Sequence, residues 1–508
     1  MMAARNFTTA SPPLLSDLLR DIAVVPVLME RAVRGLSLDS RQVRPGGLFL
    51  ACAGLRSRGH DFIGDAVANG AVAVVYEIAA GETAFLPPFI GDVPQIPVVD
   101  LAQRVGQIAE RFFGEPSRDL FMVGITGTNG KTSCSHYLAQ ALHREADPCG
   151  IIGTVGNGLV GDLSSATLTT PDAVSVHALL ARLRDAGARS VVMEASSHAL
   201  DQGRVNAVAF DVAVFTNLTR DHLDYHGDMA AYGAAKRRLF HLPGLRYAVV
   251  NGDDAFGREL LANLRPEVMG VSYGLDGPVT ATIAHVQARD VQLDDDGMQL
   301  TVHSPWGEGD LQVPLLGRFN ASNVLAVLAT LLIMGIGFDE ALRRLGRLQA
   351  VTGRMQCFGG GAAPRVVVDY AHTPDALEQV LTALRAHSRG RLWCVFGCGG
   401  DRDRGKRPLM GGAAARLADR VIITDDNPRG EDPAAIVADI LAGIAAEAEV
   451  PIIHERAAAI AYAVTQAAAG DVVLVAGKGH EAYQQIGTQY VPFSDQAVVA
   501  RLLSGGRP

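Results

Sequence analysis

Short apolar runs rich in Val, Ile and Phe recur along the chain, separated by stretches whose apolar residues fall at helical spacing. Runs at 120–125, 191–193, 212–215 and 248–250 read as buried parallel strands, because they are brief and β-branched rather than alternating. A second set at 366–368, 392–396, 421–423 and 472–475 has the same character. Between Val279 and Pro314 the period changes to two, with Asp296-Gly297 as a turn, so an antiparallel insertion is expected there. The first hundred residues hold shorter runs at 46–51 and 71–75, and Pro87-Pro88 through Pro97 reads as an exit linker. The pattern predicts α/β architecture used twice after a smaller α/β unit, with domains at 1–99, 100–351 and 352–508.

Nearly every expected strand runs into a Gly or polar cluster: Thr126-Gly127, Glu194, Thr216-Asn217, Asp369-Tyr370, Gly397, Thr424-Asp425-Asp426 and Gly477-Lys478-Gly479. Ligands of open α/β sheets bind outside the carboxyl ends of strands. Two such decorated sheets predict two ligand-binding edges able to face each other.

Composition narrows the class. The 508 residues carry 45 Lys plus Arg against 54 Asp plus Glu, a formal charge of −9, which argues against a general nucleic-acid binder. With 48% hydrophobic and 19% charged residues the chain is too apolar to be disordered. The six cysteines form no Cys-x-x-Cys pair, so a disulfide scaffold or structural zinc site is not expected, and Cys394 and Cys398 read as buried strand thiols. No signal-like organisation opens the chain, and its longest apolar run, 324–336, is shorter than the roughly 20 residues a bilayer requires. A soluble, cytoplasmic monomer is the expectation.

The sharpest motif is Thr126-Gly127-Thr128-Asn129-Gly130-Lys131-Thr132-Ser133, between the strand at 120–125 and a helical pattern over 134–143. A strand, a Gly-rich turn and a helix start aim backbone N–H groups and the helix dipole at a polyphosphate. Lys131 would reach the β- and γ-phosphates and Thr132 would place its hydroxyl on Mg²⁺. Ile125 occupies the position where the usual pattern has its first glycine. Glu194, at a strand end, is an oxygen ligand of the kind Mg²⁺ prefers. His222 and His226 stand four residues apart, which suits zinc in isolation; beside a phosphate loop, Mg²⁺ sharing one histidine is preferred.

Gly-Thr-Asn-Gly-Lys-Thr after a strand resembles the ATP loop of the Mur ligase family, which makes peptide bonds in cell-wall precursor synthesis and has the same shifted glycine. The resemblance implies a central P-loop ATPase-like domain whose parallel sheet carries the antiparallel insertion, and a C-terminal Rossmann-like α/β domain. It implies ATP contacts at Gly127, Thr128, Asn129, Gly130, Lys131, Thr132 and Ser133, joined by Asn320, Arg354 and Asp369. It gives Glu194 and His222 as metal ligands beside Thr132, with Lys131 among the catalytic residues. Lys236, in Ala235-Lys236-Arg237-Arg238, reads by itself as part of a solvated basic helix face. The resemblance implies instead that its amine is carboxylated by CO₂ and supports a second Mg²⁺, which requires burial to keep the amine neutral.

Further matches follow along the chain. Leu38 and Ser40, with Leu55, Arg56 and Ser57, match the family's UDP contacts. Thr169, Thr170, Ser196, Gln202 and Arg204 match residues holding the sugar-peptide, and Leu168 stands where many members have Asn. Arg204 also makes independent sense, since a carboxylate awaiting phosphorylation needs a positioning cation. Asn320, with Asn323, opens an apolar helix, where a helix cap competes with adenine contact; His372 reads equally well as a turn residue. The charged loop 399–407, with Asp426-Asn427-Pro428-Arg429 and Gly477-Lys478-Gly479-His480-Glu481, reads as an anion and ammonium site. Arg402 and Arg429 can fork onto carboxylates, while Asp426 and Glu481 suit an ammonium.

Asp-Asn-Pro-Arg resembles the signature of the members that add meso-diaminopimelate. The diaminopimelate contacts implied are Arg402, Asp426, Asn427, Pro428, Arg429, Gly477 and Glu481. The expected reactants are therefore ATP with Mg²⁺, UDP-N-acetylmuramoyl-L-alanyl-D-glutamate and meso-diaminopimelate, joined through an acyl phosphate. Two alternatives stay open at this point: a folylpolyglutamate synthetase-like ligase, and a nucleotide-gated binding protein without turnover.

Overall fold

The computed structural model describes residues 11–54, 58–82, 85–276, 283–294, 297–388, 390–446 and 448–504. Four parallel strands, Gly35–Ser37, Gly47–Ala51, Ala71–Ile78 and Val93–Val99, form the first sheet, edged by the antiparallel Phe89–Ile90. The stretch expected as a linker thus ends in a strand. Its prolines are tolerated because neither is asked for a ladder hydrogen bond. Pro94 precedes the pairing with Ala71–Ile78, which begins at Gln95. Pro97 faces the same side as Gln95, whose N–H reaches Pro88 O, and there the two-residue partner has already ended. The helix Leu101–Phe112 follows residue 99, yet Leu101, Val105 and Ile108 share a core with Leu48, Leu50 and Val75. The first unit's packing therefore extends past the expected boundary.

Among the described residues the central sheet has eleven strands. Phe121–Thr126 lies in the middle, between Ser190–Glu194 and Val212–Phe215. Tyr247–Asn251 and Met269–Gly274 continue it in parallel. The alternating segment supplies the expected antiparallel strands and extends the central sheet with them: Ala284–Asp294 joins Met269–Gly274 in parallel, and Gly297–Ser304 and Gly307–Val313 follow antiparallel. Gly297 pairs with Asp294, while Asp296 of the expected turn lies outside the described residues. Cys149–Ile152 and Met269–Gly274 escape sequence reading because glycines, Cys149 and Ser272 break their apolar runs; only burial within the sheet marks them.

The helix Lys131–Leu142 starts three residues before the apolar pattern, as soon as the phosphate loop releases the chain. The helix Arg318–Ile333 is apolar all round and accordingly buried, packed against Lys131–Leu142 and the sheet.

In the third sheet, Arg365–Asp369, Val472–Ala476, Leu392–Phe396 and Arg420–Ile423 run parallel in that spatial order, with Gln356–Gly359 antiparallel at one edge. Pro374–Ala386 and Lys406–Leu417 cover one face; Arg456–Gln466 and Asp495–Leu503 cover the other. Arg456 and Asp495 form a fully buried bidentate pair between the latter two helices. Cys394 and Cys398 are buried as expected. Among the described residues, no helix is long and apolar enough to cross a membrane.

Candidate active site

The loop after Phe121–Thr126 is held from several sides. Gly130, at φ +84°, caps the helix Lys131–Leu142, and a side chain there would strike Asn323 Oδ1. At Gly127, φ +152°, an added Cβ would lie 1.8 Å from Thr216 Oγ1. Thr216 Oγ1 donates to Asn129 O (2.6 Å), and Asn129 N donates to Asn217 Oδ1 (2.9 Å). The neighbouring strand end thus shapes the loop from outside its own sequence. Lys131 Nζ folds back to donate to Gly127 O (2.7 Å) and Thr128 O (2.9 Å). Burial lowers its pKa, with Glu194 and Asp221 opposing the shift.

Glu194 is fully buried at the end of Ser190–Glu194. Its Oε2 accepts from Thr132 Oγ1 (3.0 Å) and Thr154 Oγ1 (3.0 Å), and its Oε1 accepts from Thr154 N (2.8 Å). A carboxylate beside the phosphate-loop hydroxyl is a hard oxygen pair, the donor chemistry Mg²⁺ takes. Among the described residues, no group of three or more His, Cys, Asp or Glu side chains could hold a metal. A cation here would therefore rely on the nucleotide or a further anion.

Lys236 is the residue for which spacing misleads. It is 1% exposed, unlike its neighbours Arg237 and Arg238, so it is not part of a solvated face. Its Nζ donates to Gly127 O (2.9 Å) and sits 4.2 Å from the centre of the Tyr232 ring. Burial, then the charge of Lys131, holds its pKa well below the ordinary lysine value. His222 starts the short helix Leu223–His226 at φ +53°, its ring 4.9 Å from that of His198 and 3.3 Å from Asp221. Burial is the largest cause lowering its pKa. His226 contacts Ser197 Oγ (3.0 Å).

A polar shelf continues from Glu194. Thr170 Oγ1 donates to Glu194 O (2.6 Å) and lies 3.4 Å from Ser196 Oγ; Thr154 Oγ1, whose proton goes to Glu194, accepts from Thr169 Oγ1 (3.1 Å). Arg204 donates through Nε and Nη2 to Gln202 Oε1 and through Nη1 to Thr170 O (2.9 Å). Five expected substrate residues are thus brought together, and Leu168 beside them is half exposed. Ser40 is buried and Leu38 packs at the edge of the first core; Leu55, Arg56 and Ser57 lie outside the described residues.

Asn320 lies inside its helix rather than capping it: Nδ2 donates to Leu316 O (2.8 Å) and Oδ1 accepts from Asn323 Nδ2 (2.9 Å). From the third domain, Arg354 Nη2 donates to Thr132 Oγ1 (3.4 Å), with its guanidinium 4.4 Å from the centre of the Tyr370 ring. Asp369 accepts from Met355 N and Ala371 N, fixing the chain on either side of Arg354 and Tyr370. Sequence reading missed His136, whose pKa, like that of His480, is pushed down to about 4 by burial and the Arg354 charge. Arg354 Nε, His136 Nε2 and His480 Nδ1 are buried without a hydrogen-bond partner. This is a polar seam made for a polar occupant.

At the strand ends of the third sheet, Asn427 Nδ2 donates to Glu481 Oε2 (2.9 Å) and Arg429 Nη1 donates to Gly400 O (2.8 Å). Asp426 is buried, and a side chain at Gly477 would strike its carboxylate. Pro428 O closes against Gly400. Arg402 is exposed and donates to Asp401 O (3.2 Å). His372 accepts no assigned role, its Nδ1 lying 2.8 Å from Tyr370 O. Arg407, at the end of the charged loop expected to take an anion, is wholly buried and paired with Glu431 and Asp439 instead.

Fold and site together define an α/β protein of three main sheets whose central sheet carries a phosphate-binding loop of the nucleotide-binding type. Models of the Mur ligase family catalytic domain, the Mur ligase middle domain and the Mur ligase glutamate ligase domain match residues 32–113, 125–331 and 353–479. A relative from Ectopseudomonas mendocina, named UDP-N-acetylmuramoyl-L-alanyl-D-glutamate–2,6-diaminopimelate ligase, is 56% identical over 463 residues, 91% of this chain and 93% of its own. A solved structure bearing the same name is 37% identical, with a TM-score of 0.67, covering 93% of this chain and 95% of that one. The folylpolyglutamate synthase of Mycobacterium tuberculosis shares the fold at 20% identity and a TM-score of 0.61, covering 80% and 96%. The chain belongs to the Mur ligase family, whose members are ATP-dependent, amide-bond-forming ligases.

Proposed function

We propose that this protein uses ATP to join meso-diaminopimelate to the D-glutamate of UDP-N-acetylmuramoyl-L-alanyl-D-glutamate, a step of peptidoglycan precursor synthesis. The observation carrying the reading is a continuous chain of contacts. Glu194 accepts from Thr132, and Thr132 accepts from Arg354 of the domain that bears Asp426-Asn427-Pro428-Arg429. The domain that bears the expected amine-capture loop thus touches the phosphate loop, which supports the reading. The relatives' names support the choice of substrates.

Lys131 leaves the carbonyls it now contacts and pairs with the β- and γ-phosphates beside the N-terminus of its helix. Arg204, anchored by Gln202 and Thr170, orients the D-glutamate side chain. The carboxylate oxygen attacks the γ-phosphorus, ADP departs, and an acyl phosphate forms. The amine of diaminopimelate attacks its carbonyl carbon, an amide forms, and phosphate and a proton are released. Thr132, Glu194, His222 and a carboxylated Lys236 would hold Mg²⁺, which when bound neutralises charge on the phosphate oxygens. No covalent enzyme intermediate is needed, so positioning carries much of the rate.

Asp426 and Glu481 take the distal ammonium of diaminopimelate, and Arg402 and Arg429 take its carboxylate. L-Lysine lacks that carboxylate. Arg402 is exposed and Arg429 half-buried, so losing this partner disfavours L-lysine by less than the full penalty of an unpaired buried charge. Phosphate release is expected only with ATP, Mg²⁺, the UDP-dipeptide and meso-diaminopimelate together, with L-lysine a poor substitute and Arg429→Ala mainly impairing use of diaminopimelate. Release with a folate and glutamate instead, or tight binding without turnover, would overturn the reading.

A further inference from the structure

Two sets of contacts around Asp426-Asn427-Pro428-Arg429 have no part in the chemistry above. Lys478 is wholly buried, and its Nζ donates to Asn427 Oδ1 (2.9 Å) and Glu481 Oε2 (2.8 Å). From the other side comes the hairpin Tyr483–Ile486 and Gln489–Pro492. Gln485 N donates to Asn427 Oδ1 (2.9 Å), Arg429 N donates to Gln485 O (3.1 Å), and Arg429 Nε donates to Gln485 Oε1 (3.2 Å). Gly487 N closes on Arg429 O (2.8 Å). Gln489–Pro492 is exposed throughout, so the hairpin's grip on the loop is not a by-product of core packing.

These contacts decide orientation. Asn427 Oδ1 takes two donors, which forces its Nδ2 toward Glu481. Both donors to Glu481 land on Oε2, leaving Oε1 to a ligand ammonium. Arg429 has φ +52°, a left-handed conformation that non-glycine residues adopt only when surrounding contacts impose it. The hairpin supplies bonds to its N–H, its carbonyl and its Nε.

We propose that Lys478 and Gln485 are positioning residues that lock Asn427, Glu481 and Arg429 into the receptor selecting an amine substrate with a second α-amino-carboxylate end. This rests on the ligase reading above. Steady-state phosphate release by the full chain, varying one substrate at a time, tests it. Lys478→Met and Gln485→Ala should raise KM for meso-diaminopimelate about tenfold and about threefold. KM for ATP and for the UDP-dipeptide should stay within about twofold. Gln485→Glu, which restores an acceptor for Arg429 Nε, should recover most of the loss. Hydrogen–deuterium exchange over 426–430 should quicken in Lys478→Met and Gln485→Ala while exchange in the central sheet does not. A uniform rise of all three KM values, or unchanged exchange over 426–430, overturns the proposal. Wild-type protein showing no diaminopimelate-dependent release would sink the ligase reading instead, and the exchange measurement would then decide the positioning claim alone.

Discussion

A lysine amine reacts with CO₂ only when neutral, and the environment of Lys236 favours that form. Burial removes the water that would stabilise the ammonium, and Lys131 adds like charge. The sign follows: a depressed pKa means the amine is unprotonated at lower pH than an exposed lysine, so the carbamate can form at lower pH than on an exposed lysine and is lost on acidification. Mass spectrometry of protein handled without acid is expected to find the CO₂ adduct on the peptide containing Lys236. Lys236→Ala should lower kcat by on the order of 100-fold, the scale of removing one electrostatic stabiliser of a transferring phosphoryl group. Unmodified Lys236 together with wild-type kcat in the variant would refute this role. The residue's type and position were readable in the sequence; its burial was not, because Ala235 and Arg237 beside it suit an exposed helix equally well.

At the scale of the element, the phosphate loop is a turn completed by a different strand. Its glycines were legible as a motif, yet their necessity lies in Thr216 and Asn323, which follow Val212–Phe215 and sit in Arg318–Ile333. Gly127→Ala must push Thr216 away and break the bond to Asn129 O. KM for ATP is expected to rise at least about tenfold and the melting temperature to fall, as measured by steady-state kinetics and calorimetry, since Gly127 and Thr216 are both buried and the clash has no solvent to relax into. An unaltered KM for ATP would show that the loop tolerates a side chain. The strand Val93–Val99 teaches the converse: its prolines argue for a linker, and only where its two neighbours begin and end makes them harmless, Pro94 preceding the pairing with Ala71–Ile78 and Pro97 lying past the edge partner.

For the whole molecule, the decisive contact is between domains. Arg354 leaves the third domain to meet Thr132, and with His136 and His480 it forms a seam in which Arg354 Nε, His136 Nε2 and His480 Nδ1 are buried without a hydrogen-bond partner among the described residues. Occupation of that seam by nucleotide is expected to draw the two domains together, the kind of closure that commits a substrate. Arg354→Ala should weaken ATP by about tenfold or more in KM and leave KM for the amine substrate within about twofold, because Arg354 contacts the phosphate loop and not the Asp426–Arg429 loop. Equal effects on both would mean that Arg354 organises the domain arrangement rather than the nucleotide.

Local order was determined by the sequence alone. The strand runs, the phosphate-loop spacing and Asp-Asn-Pro-Arg are each carried by contiguous residues, whose patterns follow from backbone geometry and side-chain chemistry within a few positions. Convergence was decided by tertiary structure. That Lys236 is buried against Gly127, that Glu194 shares Thr132 with Arg354, and that a hairpin at 483–492 aims Arg429 all depend on residues between about 50 and more than 200 positions apart. Such pairings arise from which faces the sheets bury together, and burial sets both the charge state of an amine and the direction of a guanidinium.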